Sequence, residues 1–125
     1  MMTKDDFADQ VARVRARFAS TLNSKVADSF ADLEKMASGG LQSIEIAIVA
    51  HRRLHEMYGI APTLGFASTG KAAGVARTTI GEAAKSKRAP TAAEIAALKT
   101  ELESLRAGVA ADLEDYAKGE TANAP

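Results

Sequence analysis

The chain has no cysteine, no tryptophan, only three prolines and few aromatic residues. Without cysteine it can form no disulfide framework, no thiolate metal site and no cysteine nucleophile, and nothing indicates an oxidising compartment. Its first residues are charged, and no stretch approaches the roughly 18 consecutive apolar residues of a membrane-spanning helix. We therefore expect a cytoplasmic protein with no membrane segment.

The formal net charge is zero, but the charges are unevenly distributed. Residues 51–90 hold seven Lys and Arg against two acidic residues, and residues 91–125 hold three against seven. The basic centre lacks both an overall positive excess and the interleaved aromatics that nucleic-acid binding usually shows. We expect no nucleic-acid partner, and a solvated helical surface explains most of the charges.

Apolar residues recur at helical spacing, and no strand pattern is convincing. Thr3 with Asp6 predicts the start of the first helix. At Asn23-Ser24 the apolar spacing changes, which predicts a kink or short break. The apolar face before that point is expected to comprise Phe7, Val11, Val14, Phe18 and Leu22.

Three further helices follow, over about residues 41–64, 66–84 and from a capping box at Thr91 and Glu94 onward. Pro62 should bend or end the second of them. Short connections favour antiparallel neighbours, so the fold class is all-α: an up-and-down antiparallel four-helix bundle with an N-terminal helical extension. We expect one domain over residues 1–125, frayed over 118–125, and a monomer.

His55 is the most informative residue of the second helix. At about 100° per residue, it lies well off the apolar stripe, on the outward side with Ile48, Arg52 and Gly59. We therefore expect an accessible imidazole with a patch free of side chains one turn further on. The stripe itself comprises Ala47, Ala50, Leu54, Met57, Ala61 and Leu64.

An exposed imidazole is a competent nucleophile toward phosphorus, because the unperturbed histidine pKa near 6.5 leaves much of the ring neutral with a free lone pair. Phosphoryl transfer depends mostly on positioning and charge neutralisation. His55 offers the ring and Gly59 the room. Arg52, Lys71 or Arg77 can offer positive charge.

The segment from His55 to Phe66 resembles the signature of the histidine-containing phosphotransfer (HPt) family, which includes the first domain of chemotaxis kinases. That signature is His-x-x-Lys-Gly followed by Gly-Phe or Gly-Ala, on a four-helix bundle. The resemblance implies that His55 accepts a phosphoryl group from a receiver domain of a response regulator, or from a histidine kinase, and passes it to another receiver. It also implies that the chain needs no cofactor, since the magnesium ion belongs to the receiver.

Three residues depart from the family pattern. Tyr58 stands where the family usually has lysine, and brings a hydroxyl but no charge. Arg77 stands where members often carry a glutamate or glutamine that orients the imidazole; it cannot accept a bond from the ring but can clamp a phosphoryl oxygen. Pro62 is also unusual within the motif. An alternative therefore stays open, a degenerate HPt-like adaptor that binds receivers without carrying phosphate.

His51 is the rival phosphoryl acceptor, one turn before His55. It lacks a glycine four residues on, and a boundary residue packed beside a neighbouring helix explains it better. The two histidines could also share a zinc ion, but two arginines separate them and no glutamate follows His51 in the protease position, so we expect no metal site. The expected docking face for a receiver comprises Ile48, Arg52, His55, Gly59 and Pro62.

Overall fold

Four α-helices make up nearly all of the computed structural model, which describes residues 3–122, with side chains described through Gly119. They are α1 (Lys4–Ala37), α2 (Gln42–Ile60), α3 (Ala67–Lys85) and α4 (Ala92–Ala122), with a short 3-10 helix, Pro62–Leu64, between α2 and α3. Each helix packs against its neighbours in sequence, and α1 also packs against α4. The expected all-α, up-and-down four-helix bundle is confirmed.

One apolar core fills the space between the four helices. Stripes of apolar residues at helical spacing on α3 and α4 lie in this core, together with Ala47, Ala50, Leu54 and Met57 of α2. The largest fully buried apolar side chains are those of Leu22, Leu54, Met57, Phe66, Ile80, Leu98, Leu102, Leu105 and Val109.

Capping boxes fix the starts of two helices, as the sequence predicts. The Thr3 hydroxyl accepts the Asp6 N–H while the Asp6 carboxylate accepts the Thr3 N–H. Thr91 and Glu94 form the same reciprocal pair before α4. Each box satisfies backbone donors that a helix N-terminus would otherwise leave free.

The N-terminal part of α1 extends beyond the bundle, which confirms the predicted extension but corrects the predicted core face. Phe18 and Leu22 are buried, whereas Phe7, Val11 and Val14 are 61%, 38% and 48% exposed. Helical spacing identifies the apolar side of a helix, but it does not tell whether a neighbour is long enough to cover it.

The short break predicted as one possibility at Asn23-Ser24 is wrong, because α1 is continuous from Lys4 to Ala37. The Ser24 hydroxyl donates to the Thr21 carbonyl, 3.0 Å away, and so bonds within the helix instead of ending it. Leu22 and Val26 are both buried in the core on either side of this point.

The turn after α2 forms at Pro62, as predicted, although α2 ends at Ile60 and not near Leu64. Gly65 takes φ 90°, a left-handed conformation that glycine adopts without strain. The Pro62 ring packs on Gly70 of α3 so closely that a Cβ there would lie 2.5 Å from the proline Cγ. Pro62 and Gly70 therefore set the close approach of the turn to α3.

A carboxylate from α4 caps the start of α3. Phe66, the residue before that helix, provides no side-chain cap. Instead the buried Asp112 accepts the backbone N–H of Thr69 at 2.7 Å through Oδ2. The two residues lie 43 positions apart in sequence, so the contact joins the start of α3 to α4.

The last helix runs to Ala122, past Lys118, where the sequence suggested that fraying begins. Residues 123–125 of the expected frayed segment lie outside the described residues. In the described part of the chain, no helix has both the length and the apolar character needed to cross a bilayer.

Candidate functional site

His55 projects from the outer side of α2. Ala47, Ala50, Leu54 and Met57 of the same helix are buried, and His55 is exposed. The predicted orientation of the imidazole is therefore confirmed.

Arg77 of α3 contacts the imidazole. Its Nη1 lies 3.2 Å from Nδ1 of His55, within hydrogen-bond distance. A guanidinium has only donors, so in this contact Arg77 donates and Nδ1 accepts. A carboxylate or amide oxygen at this position would accept a hydrogen bond from the ring, whereas Arg77 donates one to it.

Tyr58 lies directly beneath the same arginine. The Arg77 guanidinium carbon is 4.3 Å from the centroid of the Tyr58 ring, a cation–π arrangement. The ring also meets Gly74 of α3, where an added Cβ would lie 2.7 Å from Cδ2. The missing side chain at Gly74 thus leaves the space that Tyr58 occupies.

His51 is half-buried one turn before His55, and the two rings stack with centroids 6.1 Å apart. Its Nε2 would be 3.6 Å from a Cβ added at Gly81 of α3. Burial lowers the pKa of His51, and the nearby His55 and Arg77 lower it further. The interpretation of His51 as a boundary residue beside a neighbouring helix is confirmed.

The space beside His55 is open. A Cβ added at Gly59 would meet nothing within 4 Å, and Arg52 and Pro62 are exposed on the same helix and the following turn. Ile48 is half-buried, which corrects the prediction that it faces outward. Its neighbour Val49 is the exposed apolar residue of that turn, 41% accessible.

Lys71 does not join the site. It lines a groove between α3 and α4, together with Val75, Glu101 and Gly108. Lys71 and Arg77 are six residues apart on α3, which places them about 120° apart around the helix. Of the cations suggested by the sequence, Arg77 is the one that contacts His55.

Sequence reasoning did not identify two of the site's contacts, those of Gly74 with Tyr58 and of Gly81 with His51. The available signal was the spacing of Gly70, Gly74 and Gly81, which at intervals of four and seven residues share one face of α3. In each of the three cases the partner is a ring on α2 or the following turn.

Among the residues with described side chains, no group of three or more His, Asp or Glu side chains is arranged to hold a metal ion. Comparisons with protein-family models, curated proteins and solved structures give no match.

Proposed function

We propose that this chain is a histidine phosphotransfer protein that carries a phosphoryl group on His55 between receiver domains, or from a histidine kinase to a receiver, in a two-component phosphorelay. It acts as a phosphoryl carrier, an intermediate in transfer between two other proteins, and not as a stand-alone enzyme. The observation that carries the proposal is the exposed His55 imidazole beside the open surface at Gly59.

Access to the ring supports the proposal. In-line transfer requires the attacking nitrogen and the phosphorus atom to approach within about 3–3.5 Å, which a rigid receiver surface can achieve only if no side chain intervenes. No described atom would contact a Cβ at Gly59, one turn from His55. The proposed docking face is formed by Arg52, His55, Gly59 and Pro62, with the half-buried Ile48 at its edge.

Positive charge beside the ring can stabilise the phosphohistidine once it has formed. Arg77 is within hydrogen-bond distance of His55, and a guanidinium can bind phosphoryl oxygens through paired donors. One of its donors, Nε, is buried without a hydrogen-bond partner among the described residues.

The proposed partners are receiver domains of response regulators and a histidine kinase. In such a pair the receiver supplies the magnesium ion and the acidic residues around its phospho-aspartate, so this chain supplies the nucleophile and the docking surface. With these partners the chain acts in the cytoplasm.

A second candidate function, a degenerate receiver-binding adaptor without phosphate chemistry, is favoured by one observation. The donor contact from Arg77 occupies a ring nitrogen of His55, and Tyr58 supplies no charge where the family has lysine. The adaptor would use the same docking face and differ only in its chemistry.

The deciding experiment mixes the purified chain with radiolabelled, phosphorylated receivers from the source cell and measures transfer of an acid-labile label. We expect His55→Gln to abolish labelling while still binding the receiver, and the matched variant His51→Gln to keep it. Loss of label only in His51→Gln would move the role to His51. Binding of receivers without labelling of any variant would establish the adaptor.

A further inference from the structure

We infer that Arg77 holds the neutral imidazole of His55 in the tautomer that carries its proton on Nε2, and thereby slows phosphorylation of the ring. The effect on phosphorylation rests on the proposed function, whereas the tautomer itself does not. Arg77 is in this view a positioning residue, one that acts through the histidine.

The argument begins with the donors and acceptors of the two side chains. Nη1 of Arg77 is 3.2 Å from Nδ1 of His55. Arginine has no acceptor, so Nδ1 must present a lone pair to it. A neutral imidazole has one protonated and one unprotonated nitrogen, and the proton therefore sits on Nε2.

The arginine is held in this position by other contacts. Its guanidinium lies over the Tyr58 ring, and that ring occupies the space left at Gly74. Arg77 is also half-buried, with its Nε enclosed. The donor is thus directed at Nδ1 by the packing of α2 against α3.

Phosphorylation at Nε2 requires the other tautomer. The Nε2 lone pair attacks phosphorus, the bond from phosphorus to the donor aspartate oxygen breaks, and the carboxylate leaves with the bonding electrons. The ring proton must then be on Nδ1, where it would face the N–H of Arg77. Arg77 must withdraw before the reaction, and it can return once the Nδ1 proton has passed to water.

The tautomer can be measured directly by nitrogen NMR on the full chain labelled with ¹⁵N. At about pH 8.5, two units above the ordinary histidine pKa, the shifts and proton couplings of the two ring nitrogens report which one is protonated. The His51→Gln variant leaves a single histidine and so assigns the signals. We expect the Nε2–H form to dominate in this variant.

Two substitutions at position 77 separate a chemical from a structural role. Arg77→Gln places a carbonyl that can accept a hydrogen bond from the Nδ1–H, and we expect it to shift the ring toward the Nδ1–H form. Arg77→Met removes the donor without adding an acceptor, and we expect an intermediate ratio. Both variants lose the stack on Tyr58 and should therefore have similar thermal unfolding midpoints. A difference between their tautomer ratios then reflects the group at position 77 and not lost packing.

The kinetic test uses phosphoramidate, a small phosphoryl donor that needs no docking surface and loses ammonia on transfer. We expect Arg77→Gln to label His55 about threefold to tenfold faster than the unchanged chain, the factor that a hydrogen bond of ordinary net strength is worth. Lys85→Gln, which removes a positive charge from the last turn of the same helix, should not change the rate.

The outcomes distinguish the inference from the proposed function. A dominant Nδ1–H ring in the chain with Arg77 present, or equal labelling rates for Arg77→Gln and the unchanged chain, would overturn the inference and leave the carrier intact. If no variant is labelled by phosphoramidate or any receiver, the proposed function fails, and the NMR ratio still decides the tautomer.

Discussion

The guanidinium of Arg77 stacks on the phenol ring of Tyr58, 4.3 Å from the ring centroid. Both residues are departures from the pattern expected for the proposed histidine phosphotransfer function. Because they touch, the two departures form one arrangement: an aromatic ring on α2 supports a positive charge supplied by α3. Contacts of this kind contribute about 0.5–1 kcal/mol at exposed sites.

We expect Gly74→Ala to disturb this stack. Alanine favours a helix by about 1 kcal/mol over glycine, but its Cβ would lie 2.7 Å from the Tyr58 ring. In the unchanged chain the stabilisation expected from alanine should vanish or become a destabilisation. In a Tyr58→Ala background, where the obstructing ring is gone, the same change should stabilise by about 0.5–1 kcal/mol. Urea denaturation measures both; equal effects in the two backgrounds would contradict the contact.

Gly59→Leu should block docking without harming the fold. No described atom lies within 4 Å of a Cβ at this position, so leucine is accommodated in the free protein. A leucine side chain beside His55 should slow transfer from a receiver about tenfold or more, since small misplacements cost on the order of 100-fold in rate. Gly119→Leu is the matched control, because its Cβ also meets nothing and it lies near the end of α4. Equal transfer rates for the two variants would refute the access argument.

Phe7→Ala and Phe18→Ala should differ sharply in stability. Phe7 is 61% exposed on the extension of α1, whereas Phe18 is buried with its ring centroid 5.6 Å from that of Phe66. We expect a loss below about 0.5 kcal/mol for Phe7→Ala, as for ordinary surface changes, and of about 3–5 kcal/mol for Phe18→Ala. Chemical denaturation checks both. A comparable loss at Phe7 would mean that the extension is packed in solution.

Glu94 should make the stability depend on pH in the acid range. Hydrogen bonds from Arg88 and from the Thr91 backbone lower the pKa of Glu94 from 4.5 to about 2. A lowered carboxyl pKa stabilises the folded state above the unfolded pKa, and this stability is lost as the pH falls through the folded value. Glu94→Gln keeps a capping side chain but removes the charge.

The stability difference between the unchanged chain and Glu94→Gln should therefore be full at pH 7, where we expect about 1 kcal/mol after solvent screening. It should shrink between about pH 4.5 and pH 2. Thermal unfolding midpoints at several pH values test this. A difference that stays constant down to pH 2 would show that the charge is not involved.

Much of this architecture could be predicted from the order of apolar residues. The stripes on α3 and α4 and the two capping boxes depend on local spacing, which sequence displays directly. The error at Ser24 arose because serine can either end a helix or bond back to it, and the surrounding core determines which. The exposure of Phe7 depends on the lengths of other helices, which the first helix does not encode.

The candidate site divides in the same way. The outward position of His55 follows from the rotation of one helix, and the structure agrees. The stack of Arg77 on Tyr58 depends on how α3 is rotated against α2. The apolar spacing within either helix does not predict that rotation. Ile48 shows where helix rotation alone fails as a predictor of exposure. The 100° spacing places Ile48 on the outward side of α2, yet it is half-buried.

The buried contact between Asp112 and the Thr69 amide ties the first turn of α3 to α4 and so restrains rotation of α3 about its axis. A helix turned by one residue about its axis would present a different side chain to His55 in place of Arg77. Substitutions at Asp112 should therefore alter the chemistry of a histidine that they never touch. Evolutionary drift along α4 would then be a route by which such a bundle gains or loses reactivity while both histidines stay in place.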